Sequence, residues 1–591
     1  MTTRALIVAV LLGCVGCSSP WSAASNVDAD VDVASGADAD VDAGADGSVD
    51  ADAEVDAGAD GSADAEVDAG ADPDAGGAMT PGFKYLSTDY GTWPGQYLPS
   101  LAHYGMGDGL YNNQAATSLA GKTLRPWDES DNEWSNFEAP SNYADVTSPA
   151  AGYLSYYNFI VGHQPAPPAS NEVRVMILGR DWFQHYVYGA GLPVPMIVGA
   201  ENGAGTGNWQ SHMAFSRGAA RQLSDTSGQK YEWIMDYSSW HGTSASRYEY
   251  YTHDGNTWCL TCGHSRSIRN RHNYMAWMGG ADYIHDEGLG ADGFTTPAVD
   301  GVLQLTVHGQ VVKDFTDFIA ANPDRGTAVV PMAVVLNRYH GISDSWSTGL
   351  IWQKLAFSSG DWWTYNVFNQ ILWPSGFNHT PYSHSENQDM VNEPAWGDGI
   401  DVLTEDATQT TLSNYSILVV LGDCDQSTLL PKLQTHLSQG KRVVLSPSLS
   451  TWGQYLTPYG AAYVPGDLPT TREHLNAAYG VVKPFTVSGA VSHQIALRSD
   501  SSYLISLMNN LGVTKEHSSS TDQIINPAHD TEVTITPNPG EYFAVTGTKL
   551  LGTNDFSLSD CGAIHVVVPA GEVTILRAVK TTTAPAGCTS P

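Results

Sequence analysis

The chain has 591 residues, a formal net charge of −36 and 42% hydrophobic residues. This length is too great for one hydrophobic core, so we expect three or four domains. Residues 26–80 carry 17 of the acidic side chains and no basic one, which leaves a net charge of −19 for the rest. Because phosphate binding requires clusters of lysine and arginine and none is visible, the composition argues against nucleic acid as a partner.

The first 17 residues have the pattern of a bacterial lipoprotein signal peptide. Arg4 precedes the short apolar run Ala5–Leu12, and small residues then lead to Cys14 and Cys17. A positive segment, a short apolar segment and small residues before the cleavage point are typical of exported proteins. Both cysteines resemble the lipidated cysteine of a lipobox, so either is a candidate for the anchor. We therefore predict an outer-membrane lipoprotein or an extracellular protein, with the lipid anchor as the only membrane contact.

Residues 18–80 are predicted to form a disordered linker rich in Asp, Ala and Gly. The unit Val-Asp-Ala-Gly-Ala-Asp recurs at 41–46, 55–60 and 67–72. Such a segment has little apolar surface to bury and its charges repel one another, so it stays extended. It also lacks the glycine and glutamate placement of an EF-hand loop. We interpret it as a tether that holds the folded part away from a membrane.

Between residues 81 and 325, strands alternate with helices in the pattern of βα units. In the clearest stretch, three strands that end in carboxylates are separated by two helical runs. Strands alternating with helices of this length indicate a parallel sheet, so we predict a (β/α)8 TIM barrel as the catalytic domain. The strands and helical runs of this stretch are Val194–Glu201, Trp209–Leu223, Tyr231–Asp236, Ser265–Met278 and Ala281–Glu287.

Two further domains are predicted after the barrel, which makes the chain a multidomain α/β protein. Residues 326–475 alternate helices with apolar strands such as Ala328–Leu336 and Tyr415–Gly422, a pattern that predicts a doubly wound α/β domain. Residues 476–582 contain only short strands, separated by turns such as Pro539-Gly540. This pattern is typical of a β-sandwich.

Several stretches resemble family 42 glycoside hydrolases, the bacterial β-galactosidases. Gly279–His285 is similar to the Gly-Ala-Asp segment that begins the last barrel strand of that family. Asp401–Ala407 and Leu412–Asp423 resemble its amidotransferase-like domain, and Leu507–Val513 resembles the start of a C-terminal sandwich. The resemblance implies a TIM barrel, then an amidotransferase-like or flavodoxin-like α/β domain, then a β-sandwich, and it implies a carbohydrate substrate. The paired-glutamate motifs of the family are not matched, so the subfamily and its substrate are not inherited.

Glu201, Glu287 and Asp236 are the predicted catalytic residues. Cleavage of a glycosidic bond requires one carboxylic acid as proton donor and a second carboxylate as nucleophile or base. In a barrel such groups lie at the carboxyl ends of the strands, where these three residues are found. The resemblance implies a nucleophile on the seventh strand. That strand carries Asp236 if Ala281–Glu287 is the eighth, and it carries Glu287 if Ala328–Leu336 belongs to the barrel.

Six further residues near strand ends are predicted to contact the substrate. Adjacent side chains on a strand face opposite ways, so Asp286 is the substitute if Glu287 faces away from the cleft. The aromatic members would stack on sugar rings, and the polar members would bond to hydroxyl groups. The six are Asp181, Trp182, Asn202, Trp240, His241 and Asp286. No metal site and no cofactor is predicted.

Two other features are interpreted as structural. Arg217 and Arg221 lie four residues apart on one helical face and are predicted to form ion pairs on the outer layer of the barrel. Cys424 lies where amidotransferases place their nucleophile, but Asp423 and Asp425 beside it would raise the pKa of the thiol and disfavour the thiolate. The α/β domain is therefore predicted to be structural or to form a homo-oligomer.

Together these features predict an exported glycoside hydrolase that cleaves a polysaccharide or oligosaccharide by a two-carboxylate mechanism. The alternative is a non-catalytic surface protein that binds glycans on a glycosidase scaffold. The two hypotheses differ in whether substitution of Glu201 or Glu287 by glutamine lowers hydrolysis.

Overall fold

A computed structural model describes residues 83–88, 101–104, 117–119, 122–126, 145–162, 172–178, 182–189, 196–203, 209–238, 265–287, 305–343, 348–374, 396–515, 522–544, 548–559 and 562–584. The predicted signal peptide (1–17) and tether (18–80) lie outside these residues. No helix among the described residues is long and apolar enough to cross a bilayer.

The first sheet has eight strands in the order β2-β1-β8-β7-β6-β5-β4-β3. The first strand pairs in parallel with both the second and the last. The sheet departs from the predicted eight parallel strands at β3, which forms an antiparallel hairpin with β4, and no described ladder joins β2 to β3. The strands are β1 (Lys84–Thr88), β2 (Leu101–Tyr104), β3 (Thr117–Leu119), β4 (Lys122–Pro126), β5 (Glu172–Leu178), β6 (Met196–Gly203), β7 (Glu232–Ser238) and β8 (Tyr283–Glu287).

The predicted carboxylate-ending strands are therefore β6, β7 and β8 of this sheet. Residues 327–336 contribute to other sheets, and in chain order Asp236 lies on the seventh strand of this one, counting β3 of the hairpin. Described helices separate the strands from β4 to β8, and the helix between β7 and β8 shows which residues set its ends. Ser265 accepts a hydrogen bond from the amide of Ile268, and Gly280 ends the helix with a φ of 100°. The helices are α1 (Pro149–Gly162), α2 (Gln184–Gly189), α3 (Trp209–Ser227), α4 (Arg266–Gly279) and α5 (Val307–Ala321).

The second sheet has five parallel strands in the order β13-β10-β14-β15-β16. Numbered within the sheet, this is the order 2-1-3-4-5 of flavodoxin-like domains, in agreement with the predicted doubly wound fold. The elements from residue 327 to 482 are β9 (Thr327–Ala328), β10 (Met332–Leu336), β11 (Leu350–Ile351), β12 (Leu355–Ala356), α6 (Ser359–Val367) with a π-helical turn (Phe368–Leu372), β13 (Ile400–Thr404), α7 (Gln409–Ser413), β14 (Ile417–Val420), α8 (Gln426–Ser438), β15 (Arg442–Leu445), a 3-10 turn (Pro447–Trp452), α9 (Gly453–Leu456), β16 (Ala462–Tyr463) and α10 (Leu468–Val482).

Helix α3 joins the first sheet to the second through a buried ion cluster. Arg217 contacts Asp401 at 2.6 Å and Asp398 at 2.7 Å, and Arg221 contacts Asp401 at 2.7 Å. The Tyr415 hydroxyl donates to the same Asp401 carboxylate at 2.7 Å. Burial raises the pKa of Asp401, but the two guanidinium groups and Tyr415 outweigh it and hold that pKa below its usual value. The predicted ion pairs of Arg217 and Arg221 on the outer layer are confirmed.

The last part of the chain forms two antiparallel sheets that share one core. Their orders are β17-β22-β26-β25 and β24-β27-β19-β18-β9, and residues of both sheets form one buried hydrophobic cluster. Strand β9 pairs with β18 of the second of these sheets, whereas β10, a few residues later, belongs to the parallel sheet. The predicted domain boundaries stay a prediction. The strands are β17 (Phe485–Ser488), β18 (Ser492–Leu497), β19 (Tyr503–Met508), β20 (Val513–Thr514), β21 (Ile524–Ile525), β22 (Thr531–Pro537), β23 (Tyr542–Phe543), β24 (Thr548–Leu551), β25 (Ser557–Leu558), β26 (Ile564–Val568), β27 (Val573–Ala578) and β28 (Lys580–Thr581); a 3-10 turn (Pro527–His529) precedes β22.

Candidate active site

The carboxyl ends of β6, β7 and β8 bring the predicted catalytic residues into neighbouring strand positions. Glu201 is the register partner of Asp236, and Asp236 is in turn the partner of His285. Glu287 lies two residues beyond His285, opposite Ser238. Because the strands are parallel, these positions share one edge of the sheet, which is the edge where barrel enzymes carry their reacting groups.

The two faces of these strands can be told apart by their neighbours. Ile197, Ile234 and Tyr283 belong to a buried cluster that also includes residues of β1 and β5, so these side chains mark one buried face of the sheet. Residues two apart on a strand share a face. Asp236 follows Ile234 by two and His285 follows Tyr283 by two, so both lie on this buried face.

Asp236 and His285 form a pair that is fully buried. Oδ1 of Asp236 lies 2.6 Å from Nδ1 of His285, and both side chains are 0% exposed. A carboxylate in contact with one ring nitrogen fixes the orientation of the imidazole. The sequence alone selects Asp236 and does not pair it with His285. The pairing depends on the register between β7 and β8, which the two-residue repeat within each strand does not provide.

Asp286 lies on the opposite face, between the sheet and its helices. It forms a buried ion pair with Arg269 of α4. Nε of Arg269 donates to Nδ1 of His308 at 3.2 Å, and its guanidinium lies 4.4 Å from the centre of the Tyr237 ring. The predicted substrate contact of Asp286 stays a prediction. In the structure this carboxylate balances the charge of a buried guanidinium.

A second buried histidine lies beside this guanidinium. The ring centre of His272 is 4.9 Å from that of Trp209 and 5.2 Å from that of Tyr237. Burial lowers the pKa of His272 to about 3, and the positive charge of Arg269 lowers it further. His272 is therefore neutral at neutral pH. The outer face of β7 and β8 thus includes a balanced ion pair and the uncharged imidazole of His272.

The structure describes the remaining predicted substrate-binding residues to different extents. Trp182 is only 4% exposed, and its ring packs against His212 and Phe215 of α3 at centroid distances of 5.3 and 6.1 Å. In this position it contributes to the core of the first sheet. The backbones of Glu201, Asn202 and Glu287 belong to β6 and β8. Asp181, Trp240 and His241 lie outside the described residues.

The described residues include no cluster of His, Cys, Asp and Glu that could hold a metal ion. Cys424 is free and buried, and its Sγ lies 3.4 Å from the carbonyl oxygen of Leu421. Burial raises the pKa of this thiol well above its usual value, and Glu405 and Asp423 raise it further. The direction agrees with the prediction from sequence, although the main cause is burial rather than the flanking aspartates.

Comparisons with known proteins give only weak likenesses. No protein-family model and no curated protein matches the chain. Among solved structures, an alpha-L-fucosidase isoenzyme 2 from Paenibacillus thiaminolyticus is 10% identical with a TM-score of 0.38, over 73% of this chain and 81% of that one. The catalytic module of a family 98 glycoside hydrolase from Streptococcus pneumoniae TIGR4, in complex with the LewisY pentasaccharide, is 10% identical with a TM-score of 0.34, over 85% and 99%. Such low TM-scores do not establish a common fold, and the resemblance to family 42 is not confirmed.

Proposed function

We propose that the chain is an exported glycoside hydrolase whose reacting carboxylates lie at the carboxyl ends of β6 and β7. Asp236 is the nucleophile and Glu201 the proton donor. The observation that carries this proposal is the buried contact between Asp236 and His285, in register with Glu201. A carboxylate oriented by an imidazole, next to the position of a second carboxylate, supplies the two groups that glycoside cleavage requires.

The strand position of Asp236 gives independent support. It lies on β7, the seventh strand of the sheet, and the resemblance to barrel glycosidases implies a nucleophile there. His285 would hold the carboxylate towards the substrate while it attacks the anomeric carbon. Glu201 would donate a proton to the leaving oxygen and then accept one from the water that releases the sugar.

Backbone spacing favours Glu201 over Glu287 as the proton donor. Adjacent strands lie about 4.8 Å apart, and position 201 shares a row with Asp236. This spacing suits the separation of about 5–5.5 Å between the carboxyls of retaining enzymes. Position 287 is two residues further along on the other neighbouring strand, roughly 8 Å from Asp236. That distance suits inversion, so the choice of Glu201 predicts retention of the anomeric configuration.

The test uses the full chain and a panel of plant, algal and microbial polysaccharides together with aryl glycosides. We expect Asp236→Asn and Glu201→Gln each to lower kcat/KM by at least about 100-fold, because each removes one of the reacting groups. Proton NMR of the fresh product should show retention. With an aryl glycoside that needs no proton donor, added azide should restore turnover in both variants and give glycosyl azides of opposite anomeric configuration.

Asp282→Asn is the matched control, because it removes a buried aspartate immediately before β8, at the opposite end of the strand. Asp282 forms an ion pair with Lys230 and is 4% exposed. We expect unchanged kcat/KM for this variant. Inversion, together with loss of activity in Glu287→Gln only, would transfer the donor role to Glu287. Glycan binding without hydrolysis by the wild-type protein would favour the non-catalytic alternative.

The proposal includes export, a lipid anchor at Cys14 or Cys17, and self-association through the α/β domain. Labelling cells with a fatty-acid analogue tests the anchor. Label that disappears in Cys17→Ser and persists in Cys14→Ser assigns the anchor to Cys17, and the reverse result assigns it to Cys14. Label that persists in a double variant would contradict both assignments. Light scattering of the purified protein measures its molar mass in solution, and the mass of a monomer would contradict self-association.

A further inference from the structure

A cavity of about 580 Å³ lies at the carboxyl ends of β10 and β14 in the second sheet. From β10 the chain runs to β13 on one side, and from β13 it returns to β14 on the other side. The adjacent ends of β10 and β14 are therefore the switch point of the sheet, which is where open α/β sheets bind their ligands. Gly422, with a φ of 73°, turns the chain immediately after β14 and lines the cavity. The volume lies within the range of small-molecule sites.

Two carboxylates line this cavity on one side. Asp423 is exposed, accepts a hydrogen bond from the Ser358 hydroxyl at 2.7 Å, and lies beside Gly360 at the start of α6. A Cβ on Gly360 would lie 2.3 Å from Oδ1 of Asp423, so only glycine admits the carboxylate there. Asp361 accepts from the Ser358 amide at 2.9 Å. Burial raises the pKa of Asp361, and the charge of Asp423 adds to this effect.

No lysine or arginine is among the described residues that line the cavity. The nearby Arg338 already contacts Glu405 at 2.9 Å and Asp406 at 3.0 Å. The two cavity carboxylates therefore have no basic side chain on the cavity wall to balance them. A ligand with a positive charge would gain from them, whereas an anionic ligand would be repelled.

His340 is a buried residue of the wall of the same cavity. The residue is 6% exposed, and its Nδ1 accepts the amide of Ile342 at 3.2 Å. Burial lowers the pKa of His340 well below its usual value, so the ring is neutral and carries its proton on Nε2. Among the described residues, Nε2 has no hydrogen-bond partner. A buried donor without a partner is costly, and a ligand oxygen would satisfy it.

The rest of the wall is mainly apolar. Leu336, Ile342, Ile351 and Leu355 provide aliphatic surface, and the Tyr339 ring lies beside them. The occupant should therefore combine a cationic group, an oxygen acceptor and an apolar face. A sugar ring that bears a free amine combines all three, because its hydroxyls accept hydrogen bonds and its C–H face packs on apolar side chains.

We propose that this cavity is a binding site for amino sugars, separate from the carboxyl ends of β6–β8. Asp361 and Asp423 bind the ammonium group, His340 donates to a ring or hydroxyl oxygen, and the aliphatic wall contacts the face of the ring. The inference does not depend on the proposed hydrolysis. The test therefore uses the full chain with Asp236→Asn, so that any turnover at the other site is suppressed.

The probes are glucosamine, glucose and glucuronate at about pH 6, where the amine is protonated. Calorimetric titration is expected to show binding of glucosamine at least about 10-fold tighter than glucose, with no binding of glucuronate. Addition of Asp423→Asn should weaken glucosamine binding at least about 10-fold and leave glucose unchanged, because only the charged group loses its partner.

Two further variants keep the proposal falsifiable. Ala356 is exposed on β12 and lines the cavity, so Ala356→Trp should abolish binding of glucosamine and glucose without removing any charge. Asp467 caps α10 and does not line the cavity, so Asp467→Asn should bind as the parent does. Equal affinity for glucose and glucosamine would overturn the proposal, as would tighter binding of glucuronate or unchanged binding in Ala356→Trp.

Discussion

Two buried carboxylate clusters in this protein have opposite characters. The inter-sheet cluster consists of Arg217, Arg221, Asp398, Asp401 and Tyr415, and its carboxylates contact guanidinium groups. The strand-end pair consists of Asp236 and His285, where the carboxylate contacts an imidazole. A guanidinium stays charged at every accessible pH, whereas an imidazole gains or loses its proton near neutrality. The first cluster suits a permanent joint between sheets, and the second suits chemistry at the edge of a sheet.

The largest effect is expected from Arg217→Ala. Asp398 and Asp401 would remain buried without their main partner, and breaking a buried ion pair costs about 3–5 kcal/mol. The free energy of unfolding from urea denaturation should fall by that amount. Arg221→Ala is the control, because 32% of its side chain is exposed and water can replace part of its contact. An equal loss in both variants would contradict the assignment of Arg217 as the centre of the cluster.

A smaller effect, on activity rather than stability, is expected from His285→Gln. Glutamine can still occupy the space beside Asp236 but provides no imidazole nitrogen to contact its carboxylate. We expect kcat to fall about 10²- to 10³-fold, with a change in the pH profile of kcat and little change in the free energy of unfolding.

The control for this variant is Asp286→Asn, on the next residue but the opposite face. It leaves Arg269 buried without its carboxylate, so we expect a loss of stability and no change in the pH profile of kcat. If His285→Gln lowers stability as strongly as Asp286→Asn and the remaining folded protein keeps its kcat, the strand-end pair is structural. The distinction between the two clusters would then fail.

Local sequence pattern predicts single elements better than their partners. The predicted helix at 265–278 matches α4 to within one residue because Ser265 is its cap. The predicted single strand Ala328–Leu336 is two strands, β9 and β10. Pro331 lies between them and has no amide hydrogen for a ladder.

Long-range features could not be predicted from the same patterns. Helix α1 was missed because its apolar residues do not keep to one face: Tyr156 and Ile160 are buried, whereas Leu154 is exposed. The hairpin of β3 and β4 depends on pairing direction, which short strands do not specify. The contacts that define both clusters join residues far apart in the chain, such as Arg217 and Asp401, and periodicity contains no information about them.

The smallest effect is expected in the pH dependence of the free energy of unfolding, and it concerns His272, an imidazole beside a guanidinium rather than a carboxylate. His272 has a pKa lowered to about 3 by burial and by Arg269, against 6.5 in the unfolded chain. Its contribution to stability is therefore present above about pH 6.5 and is lost as the pH falls towards the folded value, because the unfolded chain gains a proton that the folded protein does not. Between about pH 6 and about pH 5, this proton should lower the free energy of unfolding by about 1.2 kcal/mol. His272→Gln should remove that slope, whereas substitution of the exposed His529 by glutamine should leave it unchanged. Urea denaturation at the two pH values measures both slopes. An unchanged slope in His272→Gln would show that the imidazole beside Arg269 is charged in the folded protein, and the contrast with the strand-end pair would have to be redrawn.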